Sequence, residues 1–260
     1  MLLTIDAGNT RTKWAVFSAE GEITQQGACA NIDFSSKILP LHNITSVMIS
    51  NVAGEVHANQ ISSVFASKNL APHWFKSSAQ CCDVTNHYTQ PETLGTDRWA
   101  AIIAAWHLMH APCVVVNAGT AVTIDALMNS PSNSSQGEFI GGIILPGLTL
   151  MQSSLGSATA QLPYSTDPAC LTGDSFSTFT ASAIANGAIH AICGAIEKMQ
   201  FAVTEKYSSA PHIILSGGDA PTIAVHLREA VTNQLLIVDN LVLTGLYLCE
   251  RSQHQKSDKQ

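Results

Sequence analysis

Residues 5–16 read IDAGNTRTKWAV and residues 116–127 read VNAGTAVTIDAL. Aligned on Gly8 and Gly119, 111 positions apart, each is an apolar strand, a small-residue turn and a second strand. The chain uses one device twice. Around the first copy, LLTID (2–6), TKWAVFS (12–18) and EITQQG (22–27) are short runs parted by turn residues, which predicts a β-meander. VMISNVAG (47–54) reads as a further strand, 58–69 as a helix, and TDRWAAIIAAWHLMHA (96–111) as a stronger helix stopped by Pro112. Around the second copy, GEFIGGIILPG (137–147) supplies a third strand, followed by helices over 147–157 and 176–206. Then come a strand at 212–218, a helix from about 221, a strand at 235–239 and a last helix to about 250. Both halves start with strands and then alternate, which predicts a duplicated α/β protein with an interdomain cleft. The boundaries are drawn at 1–111 and 112–250, with 251–260 as a flexible tail because it lacks apolar residues.

Composition narrows the chemistry. At 260 residues the chain can bury nearly three quarters of its unfolded surface without disulfide or metal staples. Twelve Lys and Arg against nineteen Asp and Glu leave −7, with no basic run before the last ten residues, so nucleic acid is excluded as a partner. Asp6 interrupts any signal-like stretch and no window reaches 18 apolar residues, so the expectation is a cytoplasmic protein with no membrane association. Seven scattered cysteines show no C-x-x-C pair and no zinc spacing, and read as reduced thiols. His107 and His110 have helical spacing without the H-E-x-x-H context of a metal site.

An acidic protein that holds phosphates needs local donors. No G-x-x-x-x-G-K-[ST] and no G-x-G-x-x-G opening a helix is present. The turn Asp6-Ala7-Gly8-Asn9-Thr10 offers instead a glycine for close approach, donor side chains and N–H groups, a carboxylate for hydrated Mg²⁺, and Lys13 as a point charge. The same letters also make a plain hairpin turn. Gly119 and Thr120 are the matching donors of the second copy, with Asp125 further on. A third element, LGTDR (94–98), opens the most helix-like segment. Thr96 as N-cap and Asp97 in the first turn suit a helix start, whereas Arg98 does not and calls for an anionic neighbour.

Taken together, these residues resemble a known family. IDAGNTRTKW resembles the first phosphate motif of the acetate and sugar kinase, heat-shock ATPase and actin superfamily, VNAGTAVTID the second, and IILSGGDA the adenosine motif. D-x-G-N-T-x-x-K, Y-x-x-P-x-x-L-G-x-D-R (Tyr88 to Arg98), G-T-A-x-T-x-D and G-G-x-I-x-P-G (Gly141 to Gly147) resemble type III pantothenate kinase, in order over residues 1 to about 248. The resemblance implies duplicated ribonuclease H-like (actin-like ATPase) domains, each a mixed sheet flanked by helices. It also implies ATP-dependent phosphorylation of pantothenate to 4'-phosphopantothenate, the first step of coenzyme A biosynthesis. By position, Asp6, Ala7, Gly8, Asn9, Thr10, Arg11, Thr12, Lys13 and Thr120 would bind ATP. Asp97 would accept the proton of the pantothenate hydroxyl. Tyr88, Gly95, Thr96, Asp97 and Arg98 would bind pantothenate, together with Thr180 of the partner subunit in a homodimer.

One position departs from the family pattern. The residue that opens the second motif is usually Asp and is associated with K⁺ or NH₄⁺; here it is Asn117, whose amide oxygen can coordinate K⁺ without adding charge or can serve as a hydrogen-bonding turn residue. Two other readings stand beside the first: a superfamily kinase for another small hydroxylated substrate, and a non-catalytic regulatory homologue of the Bvg accessory factor kind, against which the intact Asp6, Lys13, Asp97 and Arg98 argue.

Overall fold

The computed structural model describes residues 1–35, 37–66, 70–159, 162, 165, 167–208 and 210–257. The chain forms two compact units: Met1–Leu108 with Ser134–Glu138 and the segment from Asn240 onward, and Met109–Asn133 with Phe139–Asp239.

In the first unit the predicted meander is β1 (Leu2–Ala7), β2 (Arg11–Phe17) and β3 (Ile23–Ala30), followed by β4 (Ser46–Asn51), α1 (Glu55–Ala66) and β5 (His73–Trp74). A small hairpin, β6 (Gln80–Cys81) and β7 (Val84–Asn86), leads to α2 (Thr96–Met109). The sheet order is β3-β2-β1-β4-β5, with β1 antiparallel to β2 and parallel to β4. Strand side chains alternate between faces. Leu3, Ile5 and Ala7 therefore face one side, where they pack with Val47, Ile49 and with Ile61, Val64 and Phe65 of α1. Each fully buried aliphatic side chain here contributes roughly 1.5–3 kcal/mol. α2 ends where His110 turns left-handed at φ 46°, two residues before Pro112.

The second unit comprises β8 (Cys113–Ala118), β9 (Ala121–Asn129), β10 (Gly137–Pro146, entered from the first unit), α3 (Leu148–Ala158), α4 (Thr180–Tyr207), β11 (His212–Ser216), α5 (Ala220–Ala224), α6 (Glu229–Thr232) and β12 (Leu235–Ile237). Its strands run β10-β9-β8-β11-β12, with β8 antiparallel to β9 and parallel to β11. Val114, Val116, Val122, Ile124, Ile213 and Leu215 pack on Ile189, Ile192 and Ile196 of α4. Strand for strand this repeats β3-β2-β1-β4-β5, so the duplication read from two glycine turns extends to the sheet topology.

The chain then returns to the first unit as α7 (Leu241–Ser257). The apolar pattern ends at Cys249 but the helix continues through polar residues, because propagating a formed helix needs only helix-tolerant side chains. Residues 258–260 lie outside the described residues. No helix of the described residues is long and apolar enough to cross a membrane.

Candidate active site

Register decides which residues meet. Asp6 on β1 pairs with Lys13 on β2 and with Ser50 on β4, so these three side chains form a row across the strands on the face away from the α1 core. Ala7 pairs with Thr12 and with Asn51, one step along and on the opposite face. α2 reaches the first row through Thr96, whose hydroxyl lies 2.8 Å from that of the fully buried Ser50. The helix begins one residue earlier than a Thr96 cap would give: Trp99 N–H donates to the Gly95 carbonyl at 3.0 Å, which makes Gly95 the cap position and leaves the Thr96 hydroxyl for Ser50.

This arrival brings two carboxylates into electrostatic range. One oxygen of Asp6, Oδ1, is sheltered from solvent without a hydrogen-bond partner. Burial, and then the charge of Asp97, push the Asp6 carboxyl up to about 7, while Lys13 acts in the opposite direction. Asp97 is also raised, by burial above all, against the lowering pull of the Arg98 N–H and guanidinium. Arg98 N–H donates to Asp97 Oδ1 at 2.8 Å, which fixes the carboxylate at the first turn. The Arg98 side chain, 4% exposed, donates through Nη1 to the Tyr88 hydroxyl at 3.0 Å, with its guanidinium carbon 5.6 Å from the ring centre. Tyr88 is held in turn by its N–H, which donates to Asn86 Oδ1 at 3.0 Å.

The turn at residues 8–11 is clasped from behind. Gly8 N–H donates to the Arg11 carbonyl at 3.1 Å, and Asn31 donates both its side-chain amide to the Gly8 carbonyl at 2.8 Å and its backbone N–H to the Thr10 carbonyl at 3.1 Å. Asn9, Thr10 and Arg11 stay exposed. Thr12 is fully buried, donates to Asn31 Oδ1 at 2.9 Å and lies 2.7 Å from His57 Nε2, and His57 contacts Gln60 at 3.0 Å. It braces the turn from the α1 side.

The second unit carries the corresponding row. Asn117 pairs with Thr123 and with Ser216, as Asp6 pairs with Lys13 and Ser50. The β8–β9 turn is one residue shorter than the β1–β2 turn, since Ala118 pairs with Val122 whereas Ala7 pairs with Thr12. Thr123 therefore stands where Lys13 does, and the lysine has no counterpart. Two glycines crowd this turn: a Cβ on Gly147 would collide with the Gly119 carbonyl, and one on Gly217, at φ 103°, with the Ala118 carbonyl. Gly147 N–H donates to the Thr120 carbonyl at 2.9 Å, and α3 starts directly after it. Thr120 itself is exposed, and Asp219, after Gly217-Gly218, is half-buried with its carboxyl raised by burial.

A family model described as type III pantothenate kinase matches residues 2–202. The chain belongs to the type III pantothenate kinase family. Proteins named type III pantothenate kinase from Janthinobacterium sp. (strain Marseille) and Nitrosospira multiformis are 42% and 38% identical to it. The first alignment covers 95% of this chain and 96% of the relative, the second 96% and 91%. Among solved structures, the activator of 2-hydroxyisocaproyl-CoA dehydratase from Clostridium difficile superposes with a TM-score of 0.52 at 10% identity, covering 99% of this chain and 97% of the other. The ethanolamine utilization protein EutJ from Carboxydothermus hydrogenoformans gives 0.51 at 13% identity, covering 95% and 89%. These likenesses show the fold, the duplicated actin-like ATPase architecture.

For a type III pantothenate kinase sequence, the sites expected in the first unit fall into one neighbourhood: Asp6, Lys13, Gly95, Thr96 and Asp97 around the β1 row, Arg98 and Tyr88 beside it. Thr180 belongs to the second unit, as the exposed first residue of α4, on a cavity of about 490 Å³ lined also by Met151, Leu155, Leu162 and Ile184. Within the first turns of α4, the buried Asn186 amide accepts from the N–H groups of Thr172 and Gly173 and donates to the Thr172, Ser177 and Ser182 hydroxyls, pinning the segment that leads to Thr180. Ser50, Asn31, His57 and Asn186 were not found from sequence. Ser50 had a usable signal, since ligands of open α/β sheets gather at the carboxyl ends of strands and it sits there on β4.

Proposed function

We propose that the chain transfers the γ-phosphoryl group of ATP to pantothenate, giving 4'-phosphopantothenate in the first step of coenzyme A biosynthesis. Family membership supports the reaction, and the observation that carries the assignment of roles is the arrival of Asp97 beside the Lys13–Asp6–Ser50 row. Phosphoryl transfer depends on positioning and charge neutralisation more than on a strong base. Asp97, its carboxyl raised by burial and its position fixed by the Arg98 N–H, orients the pantothenate hydroxyl and accepts its proton. Arg98 and Tyr88 receive the pantothenate carboxylate, with Gly95 and Thr96 shaping the approach. The 8–11 turn and Lys13 receive the ATP phosphates, as does the Thr120 turn of the second unit, while Thr12 holds the first turn in shape.

The fit to a divalent cation rests on the sheltered, unpartnered Asp6 Oδ1, a hard oxygen of the kind Mg²⁺ selects, directly or through water. Bound there, Mg²⁺ would neutralise phosphate charge. Asn117 is the residue toward a monovalent cation, K⁺ or NH₄⁺, through its amide oxygen. Exposed Leu155 and Phe179 beside Thr180, with Leu150 and Phe176 also exposed on the same unit, support a homodimer in which Thr180 of the partner subunit completes the pantothenate site, and the enzyme works in the cytoplasm.

An ADP-release assay with purified protein tests this reading, run with ATP and Mg²⁺ and with pantothenate present, absent or replaced by other hydroxylated carboxylates. ADP release that requires pantothenate is expected; equal release with another acceptor would reassign the substrate. Repeating the assay with and without K⁺ measures the contribution of Asn117.

A further inference from the structure

Away from this site, three sulfurs meet that the sequence keeps far apart. Cys81 Sγ lies 3.6 Å from Cys82 Sγ and 3.8 Å from Cys249 Sγ, and all three sulfurs lie within 4.8 Å of one another. Cys81 closes β6, Cys82 opens the two-residue loop to β7, and Cys249 is buried on α7, all within the first unit. No disulfide joins them. Among the described residues, no other group of three His, Cys, Asp or Glu side chains comes this close. Residue spacing gave no hint of a site, because the third sulfur is supplied by a helix 167 positions further on.

The loop adopts a conformation that side chains other than Gly, Asn and Asp rarely take. Cys82 and Asp83 have φ of 48° and 61°, the pattern of a type I′ hairpin turn, in which Asn-Gly or Asp-Gly would be the unstrained choice. A cysteine there sits in a sparsely populated region, and it sets Cys82 Sγ toward α7, 3.7 Å from the Leu248 carbonyl.

We infer that Cys81, Cys82 and Cys249 form a binding site for one Zn²⁺ ion. With Zn–S bonds of about 2.3 Å, a tetrahedral site has sulfur–sulfur edges of about 3.8 Å, close to the spacing already present. Binding breaks each S–H bond and forms an S–Zn bond, with the protons passing to solvent, so the three thiolates and the dication leave a net single negative charge. A monovalent Cu⁺ would leave two, which is costlier for a partly buried group. Cys81 and Cys82 are half-buried, which leaves the fourth position open to water. The ion would tie α7 to the hairpin whose β7 ends at Asn86, the residue that holds Tyr88.

The test uses the full chain, reduced and stripped with chelator, titrated with Zn²⁺ against a chromophoric competitor and weighed by native mass spectrometry. One Zn²⁺ per chain is expected in the wild type and in Cys29→Ser, and none in the Cys81→Ser/Cys82→Ser double variant, whose half-buried positions leave the α7 core intact. Co²⁺ added in place of Zn²⁺ should give a thiolate charge-transfer band that the double variant loses while its circular dichroism is unchanged. Absence of Zn²⁺ uptake, uptake retained by the double variant, or uptake of Cu⁺ in preference to Zn²⁺ would overturn the assignment.

Discussion

A methyl group on Gly95 would stand 2.7 Å from Asp97 Oδ1, so the carboxylate occupies space that only glycine leaves open. Gly95→Ala should leave the fold nearly as stable, because the Asp97 side chain can rotate away. That rotation displaces the proposed base. Misplacement of a reacting group by about 1 Å costs up to about a hundredfold in rate, so kcat should fall roughly 10- to 100-fold with a melting temperature close to that of wild type. Steady-state kinetics beside a thermal melt checks this, and an unchanged kcat would separate Gly95 from catalysis.

Asp6 makes stability depend on pH. Its carboxyl ordinarily titrates at 3.8 and in the folded chain at about 7, so between these values the native state holds more protons than the unfolded state. Stability therefore falls as pH rises through this window. In EDTA, Asp6→Asn should flatten that slope and gain on the order of 1–3 kcal/mol at pH 8, and in an assay with Mg²⁺ the same variant should lose turnover. Denaturant unfolding of both proteins from pH 4 to pH 8 measures it; identical slopes would show that Asp6 ionises without penalty.

Thr12→Val keeps the shape of a fully buried side chain and removes its hydrogen bonds to Asn31 and His57. Leaving buried polar partners unsatisfied costs about 1–3 kcal/mol. As Thr12 braces the turn from the side away from Asp6, the variant should raise KM for ATP more than it lowers kcat. A loss confined to kcat would instead place Thr12 at the reacting atoms.

What the sequence made legible and what it hid divide along physical lines. The glycine turns, the meander and α2 were readable because period and turn chemistry are local. The β6–β7 hairpin was not, since strands of two and three residues carry no period. Asp6, Lys13 and Asp97 could be named from motifs, but the side of the strand each occupies depends on register. A step of one residue separates Lys13, beside Asp6, from Thr12, which packs on His57. Thr96 looked like a helix cap until tertiary contact with Ser50 claimed its hydroxyl. The sulfur cluster, like the five hydrogen bonds of Asn186, depends on segments brought together only by folding.

Tyr88→Phe removes the hydroxyl that accepts from Arg98 Nη1 and keeps the ring under the guanidinium. Loss of one hydrogen bond to a charged group, about 1.5–3 kcal/mol, should raise KM for pantothenate by about tenfold or more. KM for ATP should hold. Equal rises in both constants would mean that Tyr88 shapes the whole site.

The central claim is that this chain phosphorylates pantothenate with Asp97 as proton acceptor. Its most direct test is to follow formation of phosphorylated pantothenate by mass spectrometry from ATP, Mg²⁺ and pantothenate, with wild type and Asp97→Asn side by side. Wild type should form one phosphorylated pantothenate per ADP, and Asp97→Asn should turn over about 10²- to 10⁴-fold more slowly with its fold and ATP binding intact. No phosphorylated product from wild type, or near-wild-type turnover by Asp97→Asn, would contradict the account.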